Sequence, residues 1–470
     1  MWLGRVRPLW GYFWFVKNEK IETVAAGLSI DACVFEAELT GLLDGVAGRF
    51  ASAPSRARAR ALVQGLVAPL ETRNCWTLAE WAGHSTPDKV QYLLERARFD
   101  HDGAMADLRG LVCARLADPD AVLVVDETGD VKKGTGTVGV QRQYTGTAGR
   151  IENAQVAVYL TYAAQAGYTF IDRRLYLPKS WTTAPERLSG AGVPAGTRFA
   201  TKPALATAMI TGAHAAGVPA RWVAGDEVYG ADPALRATCR SLGLGYVLAV
   251  ASNRTVPTGQ GSIRVDDLTT KVPQAAWFTM PAGVGAKGLR EYAWALIESH
   301  AEPDGDDYGS GWHYVLVRRN LTTSELAWYR CWSPDPVTAR TLVLVAGRRW
   351  TVEENFQTTK NLTGLDQHQV RRWVPWHRWT FFCLLAHAFL TLATLTARTL
   401  ETSHQTTTNL VRLSLAEVRR LWNATHTRPT TWPHVLAWSW WRRHHQHQAR
   451  QAHYKRKGHP IPDHPQELRL

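Results

Sequence analysis

Two short apolar runs, each stopped by an aspartate, constrain this chain more than any other feature. Ala121-Val-Leu-Val-Val125 runs into Asp126, and Arg221-Trp-Val-Ala-Gly225 runs into Asp226. A continuous apolar run of this length fits a strand buried on both faces, the kind found inside a sheet covered by helices. Both aspartates are therefore expected at strand ends. A third acid, Glu353, lies in Arg348-Arg-Trp-Thr-Val-Glu-Glu-Asn-Phe-Gln-Thr-Thr-Lys360, a segment with helical character. Two carboxylates at strand ends and one on a later helix can converge to hold divalent metals.

The surrounding pattern places these runs in an α/β fold. From about residue 30 to 118, Leu42, Leu43, Val46, Leu62, Leu66 and Leu70 recur at helical intervals. Residues 77–82 and 87–96 read as two short helices around Gly83, with Thr86 as a cap and Pro87 in a first turn. Such a pair resembles a helix-turn-helix able to enter a DNA groove, or a plain helical hairpin packed on the core. Strands are expected at 121–126, 155–164, 168–177, 221–226 and 246–250, with helices at 203–216 and 233–242. Three strands followed by alternating helix and strand make a mixed sheet. Residues 255–336, punctuated by Gly, Pro and Asp, carry strand-like runs at 275–280, 291–297, 312–317 and 326–332. Helix returns over 337–360 and 376–397. The chain divides into a helical part with a DNA-binding role in view (1–118), a first core part (119–254), a β-rich insertion (255–336), a second core part carrying the last acid (337–400) and a basic carboxyl-terminal region (401–470).

Charge narrows the partner. The 470 residues include 54 Lys plus Arg against 41 Asp plus Glu, a net charge of +13. That excess suggests a polyanionic partner, and nucleic acid as the substrate of a metal site on such a chain, although a basic surface without a partner has the same composition. The six cysteines, Cys33, Cys75, Cys113, Cys239, Cys331 and Cys383, form no CxxC pair, which argues against a zinc ribbon or a disulfide framework and fits a reducing cytoplasm. The start of the chain, interrupted by Lys17 and Lys20, lacks the apolar core of a signal peptide. The longest apolar stretch, 381–397, contains His387 and several threonines and reads as a buried helix rather than a membrane span. Gly129-Asp-Val-Lys-Lys-Gly134-Thr135 lacks the lysine that a phosphate loop places before its threonine, so no nucleotide cofactor is expected.

Phosphodiester cleavage requires charge neutralisation and an activated oxygen nucleophile, and two divalent ions about 3.5–4 Å apart supply both. Mg²⁺ uses oxygen ligands and few carboxylates, so three acids from separate segments are a sufficient set, with Mn²⁺ able to substitute. On a helix, Arg349 lies about 40° from Glu353 and Lys360 about 20° to the other side, so all three share a face, while Glu354 is displaced by about 100°. A carboxylate for metal then stands beside two cations for the DNA backbone. A solvated charged face gives the same spacing. Glu127, Asp130 and Glu227 remain alternative ligands, because strand alternation sends neighbouring side chains to opposite faces.

The motifs Val124-Val-Asp-Glu-Thr-Gly129, Val138-Gly-Val-Gln-Arg-Gln-Tyr-Thr-Gly-Thr-Ala-Gly-Arg-Ile-Glu-Asn153, Leu175-Tyr-Leu-Pro-Lys-Ser-Trp181, Ala200-Thr-Lys-Pro203, Gly225-Asp-Glu-Val-Tyr-Gly230 and Gly364-Leu-Asp-Gln-His-Gln-Val-Arg-Arg372 resemble the insertion-sequence-701 family of bacterial DDE transposases. The resemblance spans roughly residues 35–457. It implies an RNase H-like mixed sheet flanked by helices, interrupted by β-strands before the last acid. It assigns Asp126, Asp226 and Glu353 as the catalytic, metal-binding triad. Related hairpin-forming transposases carry Tyr-x2-Arg-x3-Glu-x6-Lys on the last helix. Arg349, Glu353 and Lys360 fit that spacing, but Ala346 stands at the tyrosine position. The implied activity is Mg²⁺-dependent cleavage at the ends of a mobile element and joining of the freed 3′-hydroxyls to target DNA. A homodimer on DNA and a bacterial cytoplasm, at the nucleoid, are the expected setting.

Arg142, Arg150, Arg371 and Arg372 are further candidates for DNA-backbone contact. Among the 21 tryptophans, Trp277, Trp294, Trp312 and Trp328 fall in the β-rich segment, where core packing is the expected role and base stacking the rarer one. The basic, histidine-rich stretch 442–457 is expected either to touch DNA non-specifically or to lie free; His444, His445 and His447 have no placed partners for a metal. Two other readings stand beside the transposase: a transposase-derived DNA-binding protein that does not cut, and an RNase H-like nuclease without strand transfer.

Overall fold

The run at 121–125 is buried because it becomes an inner strand of a ten-stranded sheet. The computed structural model describes residues 32–259, 261–285, 288–300, 311–403, 411–426, 428 and 430–458. The amino-terminal stretch read for a signal peptide lies outside the described residues. Strand β1 (Val122–Val131) pairs antiparallel with β3 (Arg150–Ala163), whose outer edge takes β2 (Gln141–Thr145) and then β4 (Tyr168–Leu175). On its other side β1 pairs parallel with β5 (Trp222–Gly225), and β5 pairs parallel with β6 (Gly245–Val250). The order β4-β3-β1-β5-β6, antiparallel on one side of β1 and parallel on the other, is an RNase H-like arrangement.

The expected β-rich segment extends this same sheet. A two-stranded ribbon, β7 (Thr255–Thr258) and β8 (Gly261–Arg264), comes first, followed by β9 (Phe278–Gly285), β10 (Gly288–Ser299), β11 (Trp312–Asn320) and β12 (Leu326–Ser333). β12 pairs antiparallel with β6, and β11, β10 and β9 follow in order, so core hydrogen bonding continues without interruption to the far edge. Val250, Val256, Val265, Ala295, Val315 and Val317 form a second small core under this extension. Of the four tryptophans there, Trp294 is fully buried and donates its indole N–H to the Met280 carbonyl at 3.0 Å, while Trp312 is 46% exposed.

Helices cover the sheet. The amino-terminal set is α1 (Ala32–Gly45), α2 (Ala53–Val67), α3 (Cys75–Trp81), α4 (Asp88–Glu95) and α5 (His101–Arg115). α3 starts at a capping box in which Asn74 and Thr77 satisfy each other's backbone N–H. α4 starts differently from expectation. Pro87, not Thr86, is the cap, and the Thr86 hydroxyl instead donates to the Asp88 carboxylate at 2.9 Å. Proline has no N–H and a fixed φ, so it occupies the boundary itself. Two short helices follow β4, α6 (Lys179–Thr182) and α7 (Pro185–Gly190), and then α8 (Lys202–Ala215). α9 (Glu227–Gly230) and α10 (Pro233–Ser241) lie between β5 and β6, and α11 (Val265–Thr270) follows β8.

The expected single helix over 337–360 is two helices, α12 (Ala339–Arg348) and α13 (Trp350–Thr363), hinged at Arg349. There the Arg349 and Val352 N–H groups reach back only three residues, to the carbonyls of Ala346 and Arg349. The β9 backbone presses on the turn before: a Cβ on Gly347 would lie 1.7 Å from the Ala282 carbonyl oxygen.

Helix α14 (Trp373–Ser403) is the central pillar, packed on α1, α2, α4, α5, α13 and β4. Residues Trp373–Glu401 are long and apolar enough to cross a membrane, but 89% of the apolar window is buried against this chain itself. His387 shows how polar groups survive there. Its two ring nitrogens bond the hydroxyls of Thr169 on β4 (2.8 Å) and Thr358 on α13 (2.9 Å), and burial lowers its pKa to about 3. A neutral imidazole thus pins α13 to the sheet. Helices α15 (Leu415–Thr425) and α16 (Trp432–Lys457) complete the described chain. The basic stretch 442–457, expected to lie free or on DNA, is helical; Trp438 and Trp441 dock it near α3, and residues 443–450 are exposed.

Candidate active site

Strand register brings the two aspartates together. In the β1–β5 ladder Val125 lies opposite Gly225, so the next residues, Asp126 and Asp226, are neighbours at the point where parallel pairing stops. Adjacent strands are about 4.8 Å apart, and residues in register point to the same face. Asp126 is not at a strand end, as the sequence suggested. β1 continues to Val131 because its antiparallel pairing with β3 persists for five residues beyond Asp126, from Glu127 opposite Val158 to Val131 opposite Ala154. Asp226 is extended (φ −81°, ψ −170°) and caps α9, its Oδ1 accepting the Val228 N–H at 2.9 Å. α9 is pressed against β6, since a Cβ on Gly230 would lie 1.9 Å from the Ala249 carbonyl oxygen.

The pair is poorly neutralised. Burial, then Asp226, then Glu127 push the Asp126 carboxyl up to about 8, while the Glu127 N–H, donating to its Oδ1 at 2.7 Å, works the other way. Asp226 is also raised, by burial first and Glu127 next. Ionising both acids in this setting requires a positive charge close by.

The alternative ligands are otherwise engaged. Glu127 receives the Lys202 ammonium at 2.6 Å and the Tyr229 hydroxyl at 2.6 Å. Asp130 bonds His368 Nε2 at 3.1 Å; burial opposes its ionisation, but that bond and the nearby Lys132 hold it below the usual carboxylate range. Glu227 is exposed to solvent. Glu354 is engaged by the Tyr168 hydroxyl, although it lines the same cavity as Glu353.

α13 carries the third acid past β1. Arg349, at the hinge, donates to Glu353 Oε1 at 2.5 Å, and its guanidinium is also within electrostatic reach of Asp126 and Asp226. Glu353 and the aspartates thus share the influence of one cation. Among the described residues, no three His, Cys, Asp or Glu side chains close to a metal-holding spacing. Glu353 instead lines a cavity of about 530 Å³ with Arg290, Trp350, Gln357 and the β9–β10 turn. Lys360, two turns on, donates to Thr128 Oγ1 at 2.7 Å and Thr147 Oγ1 at 3.3 Å, tying α13 to β1 and to the β2–β3 hairpin tip. An all-oxygen pair of aspartates, half-buried and crowded together with a guanidinium as counter-charge, suits a hard divalent cation.

The remaining arginines separate into two groups. Arg142 and Arg150 are exposed on the hairpin whose tip reaches Lys360, and Arg150 pairs with Glu152 at 2.8 Å. Arg371 and Arg372 line a different cavity, of about 390 Å³, with Trp76, Gln91 and Glu95; Arg372 pairs with Glu95 at 3.4 Å. Sequence reasoning assigned no role to Lys202, Tyr229, Thr128 or Thr147. All four lie inside the motifs quoted above, which was the available signal.

Comparison with known proteins bears on the family of the chain. Residues 46–265 match the family described as DDE superfamily endonuclease, and residues 201–389 match Transposase DDE domain. The chain is 29% identical over 194 residues to the probable transposase for insertion sequence element IS701 of Microchaete diplosiphon, covering 41% of this chain and 48% of that protein. It thus spans about half the length of the curated relative it matches. Among solved structures it is similar to piggyBac transposase in a synaptic complex with hairpin DNA, at 12% identity and a TM-score of 0.36 over 84% of this chain and 79% of that one. Between them the two DDE family models cover residues 46–389 of this chain.

Proposed function

We propose that this protein is the DNA transposase of an insertion sequence, cutting at element ends and joining them to target DNA, with Asp126, Asp226 and Glu353 as its metal-binding carboxylates. The observation that carries this reading is the β1–β5 register, which sets two poorly neutralised aspartates side by side. Bound there, a pair of Mg²⁺ or Mn²⁺ ions would supply charge neutralisation for the phosphodiester and a more acidic nucleophile.

The chain's own residues supply the rest. Asp126 and Asp226 hold their oxygens on rigid elements, fixed by backbone N–H donors from Glu127 and Val228. The Lys202 and Tyr229 contacts hold Glu127 to its own partners. Arg349 shields the acids in the free protein, and on DNA its guanidinium is suited to pair with a phosphate, releasing Glu353 toward the aspartates. Lys360 and the exposed Arg142 and Arg150 extend the cationic flank around the β2–β3 hairpin, with Arg371 and Arg372 as further backbone contacts. Cutting two ends in concert calls for two chains on the DNA.

The test is cleavage of a duplex carrying the element's end under Mg²⁺ or Mn²⁺, with products mapped. Cut and joined products are expected from the native chain, and Asp226→Asn should bind the duplex without cutting it. Cutting without joined products would make the protein a nuclease. End binding without any cutting, even by native protein, would make it a silent DNA-binding relative and overturn the proposal.

A further inference from the structure

Outside the carboxylate site, the least balanced charges lie on the amino-terminal helices. α2 and α4 flank an open groove of about 450 Å³ lined by Ser52, Arg58, Lys89, Tyr92 and Arg96, with Asp88 the one acid among the lining residues. Tyr92 is 40% exposed, with the guanidinium of Arg58 5.5 Å and that of Arg96 6.0 Å from its ring centroid. Nearby arginines have partners: Arg60 pairs with Glu36, and Arg49 with Asp100 and Asp107. Among the described residues Arg58, Lys89 and Arg96 make no ion pair, and the Asp88 carboxylate is turned to the Thr86 hydroxyl. His84, just before α4, is held below its usual pKa by burial first, then by Lys89, Arg428 and Arg58, so these cations share one surface. The amino terminus of the fifteen-residue α2 also opens here, through Ser52 and Ser55, adding the positive end of a helix dipole.

We infer that this groove seats the sugar-phosphate backbone of duplex DNA, with Arg58, Lys89 and Arg96 neutralising successive phosphates and Tyr92 as the flat wall between two of them. The inference deepens the proposed function and rests on it. Three unpaired cations against one acid, on a rigid helical frame, complement a polyanion of regular charge spacing. The contact carries no base information, so its signature is salt dependence rather than sequence preference.

The experiment is binding of the full-length chain to a short duplex of unrelated sequence, followed by fluorescence anisotropy across a salt series. Each phosphate contact adds about 0.9 to the slope of log K against log salt. Arg58→Gln/Lys89→Gln/Arg96→Gln should flatten that slope by about 2–3 and weaken binding roughly ten- to a hundredfold at low salt, with an unchanged unfolding midpoint. Arg221→Gln, which removes an exposed arginine paired with Asp335, serves as the control and should leave the slope unchanged. Lys89→Glu alone, at an exposed position, should weaken binding at least as much as Lys89→Gln. A triple variant that keeps the native slope overturns the groove while leaving the DNA reading intact. A native chain that binds no DNA at any salt overturns both.

Discussion

The carboxylate pair on β1 and β5 and the cationic groove between α2 and α4 are unbalanced in opposite senses and at different depths. Asp126 and Asp226 are crowded by the core and repel each other, so their charge works against the fold. Lys89 and Arg96 are exposed and Arg58 is half-buried at the groove wall, where solvent-screened charge costs little. One region is held in an unfavourable arrangement by the sheet register; the other is tolerated because solvent screens it. Substitutions should therefore trade stability against function strongly at the first site and weakly at the second.

The largest effect is expected at the chemistry. Asp226→Asn should lower cleavage by about a thousandfold or more, measured as initial rate on an end-containing duplex, with DNA affinity kept. An activity loss below about tenfold would mean that the strand register has pointed to the wrong carboxylate.

Next is the packing that holds the aspartate in place. Gly230→Ala drives a methyl group into the Ala249 carbonyl of β6, 1.9 Å from its oxygen, so backbone must shift. A destabilisation of about 3 kcal/mol in denaturant unfolding is expected. The contrasting change, Gly110→Ala on α5, meets nothing within 4 Å and should stabilise by about 0.5–1 kcal/mol. If both changes are neutral, the site region is no more tightly built than the surface.

The same contrast explains what the sequence could and could not disclose. The runs before Asp126 and Asp226 were legible as buried strands because a two-sided sheet leaves no alternation. The acids were legible because they interrupt those runs, and the Arg349–Glu353 pairing because helix geometry is local. The extent of β1 beyond Asp126 was not, since it depends on pairing with β3, about thirty residues away. The hinge at Arg349 was hidden for the same reason: the pressure on Gly347 comes from Ala282. The groove was least legible of all. Lys89 and Arg96 belong to the 87–96 helix of the pair read as a possible helix-turn-helix, but Arg58 comes from α2, and only tertiary packing makes it their neighbour.

Electrostatic strain at the pair gives a pH-dependent prediction of defined sign. The folded chain holds a proton on Asp126 up to about pH 8, whereas the unfolded carboxyl loses it near 3.8. Between those values the native state binds more protons, so without metal its stability falls as pH rises, and the contribution is lost above about pH 8. Asp126→Asn removes the titration. Its unfolding midpoint should exceed that of the native chain by roughly 2–4 °C near pH 8.5, with the two converging near pH 4. Parallel curves for the two proteins across that range would show that the carboxylate is not strained.

The smallest effect sharpens the comparison, because neutralising an acid should do the reverse at the groove. Asp88 is the one acidic residue lining it and also sits in the first turn of α4, where a negative charge favours the helix dipole. Asp88→Asn should therefore cost about 0.3–1 kcal/mol of stability while strengthening DNA binding two- to fivefold at low salt, a gain that fades as salt is raised. At Asp126 the same change in chemistry raises stability and abolishes function. Opposite signs at the two positions are what a half-buried acid awaiting a cation and an exposed acid beside a polyanion site require. Equal signs would mean that depth, and not the intended counter-charge, governs both.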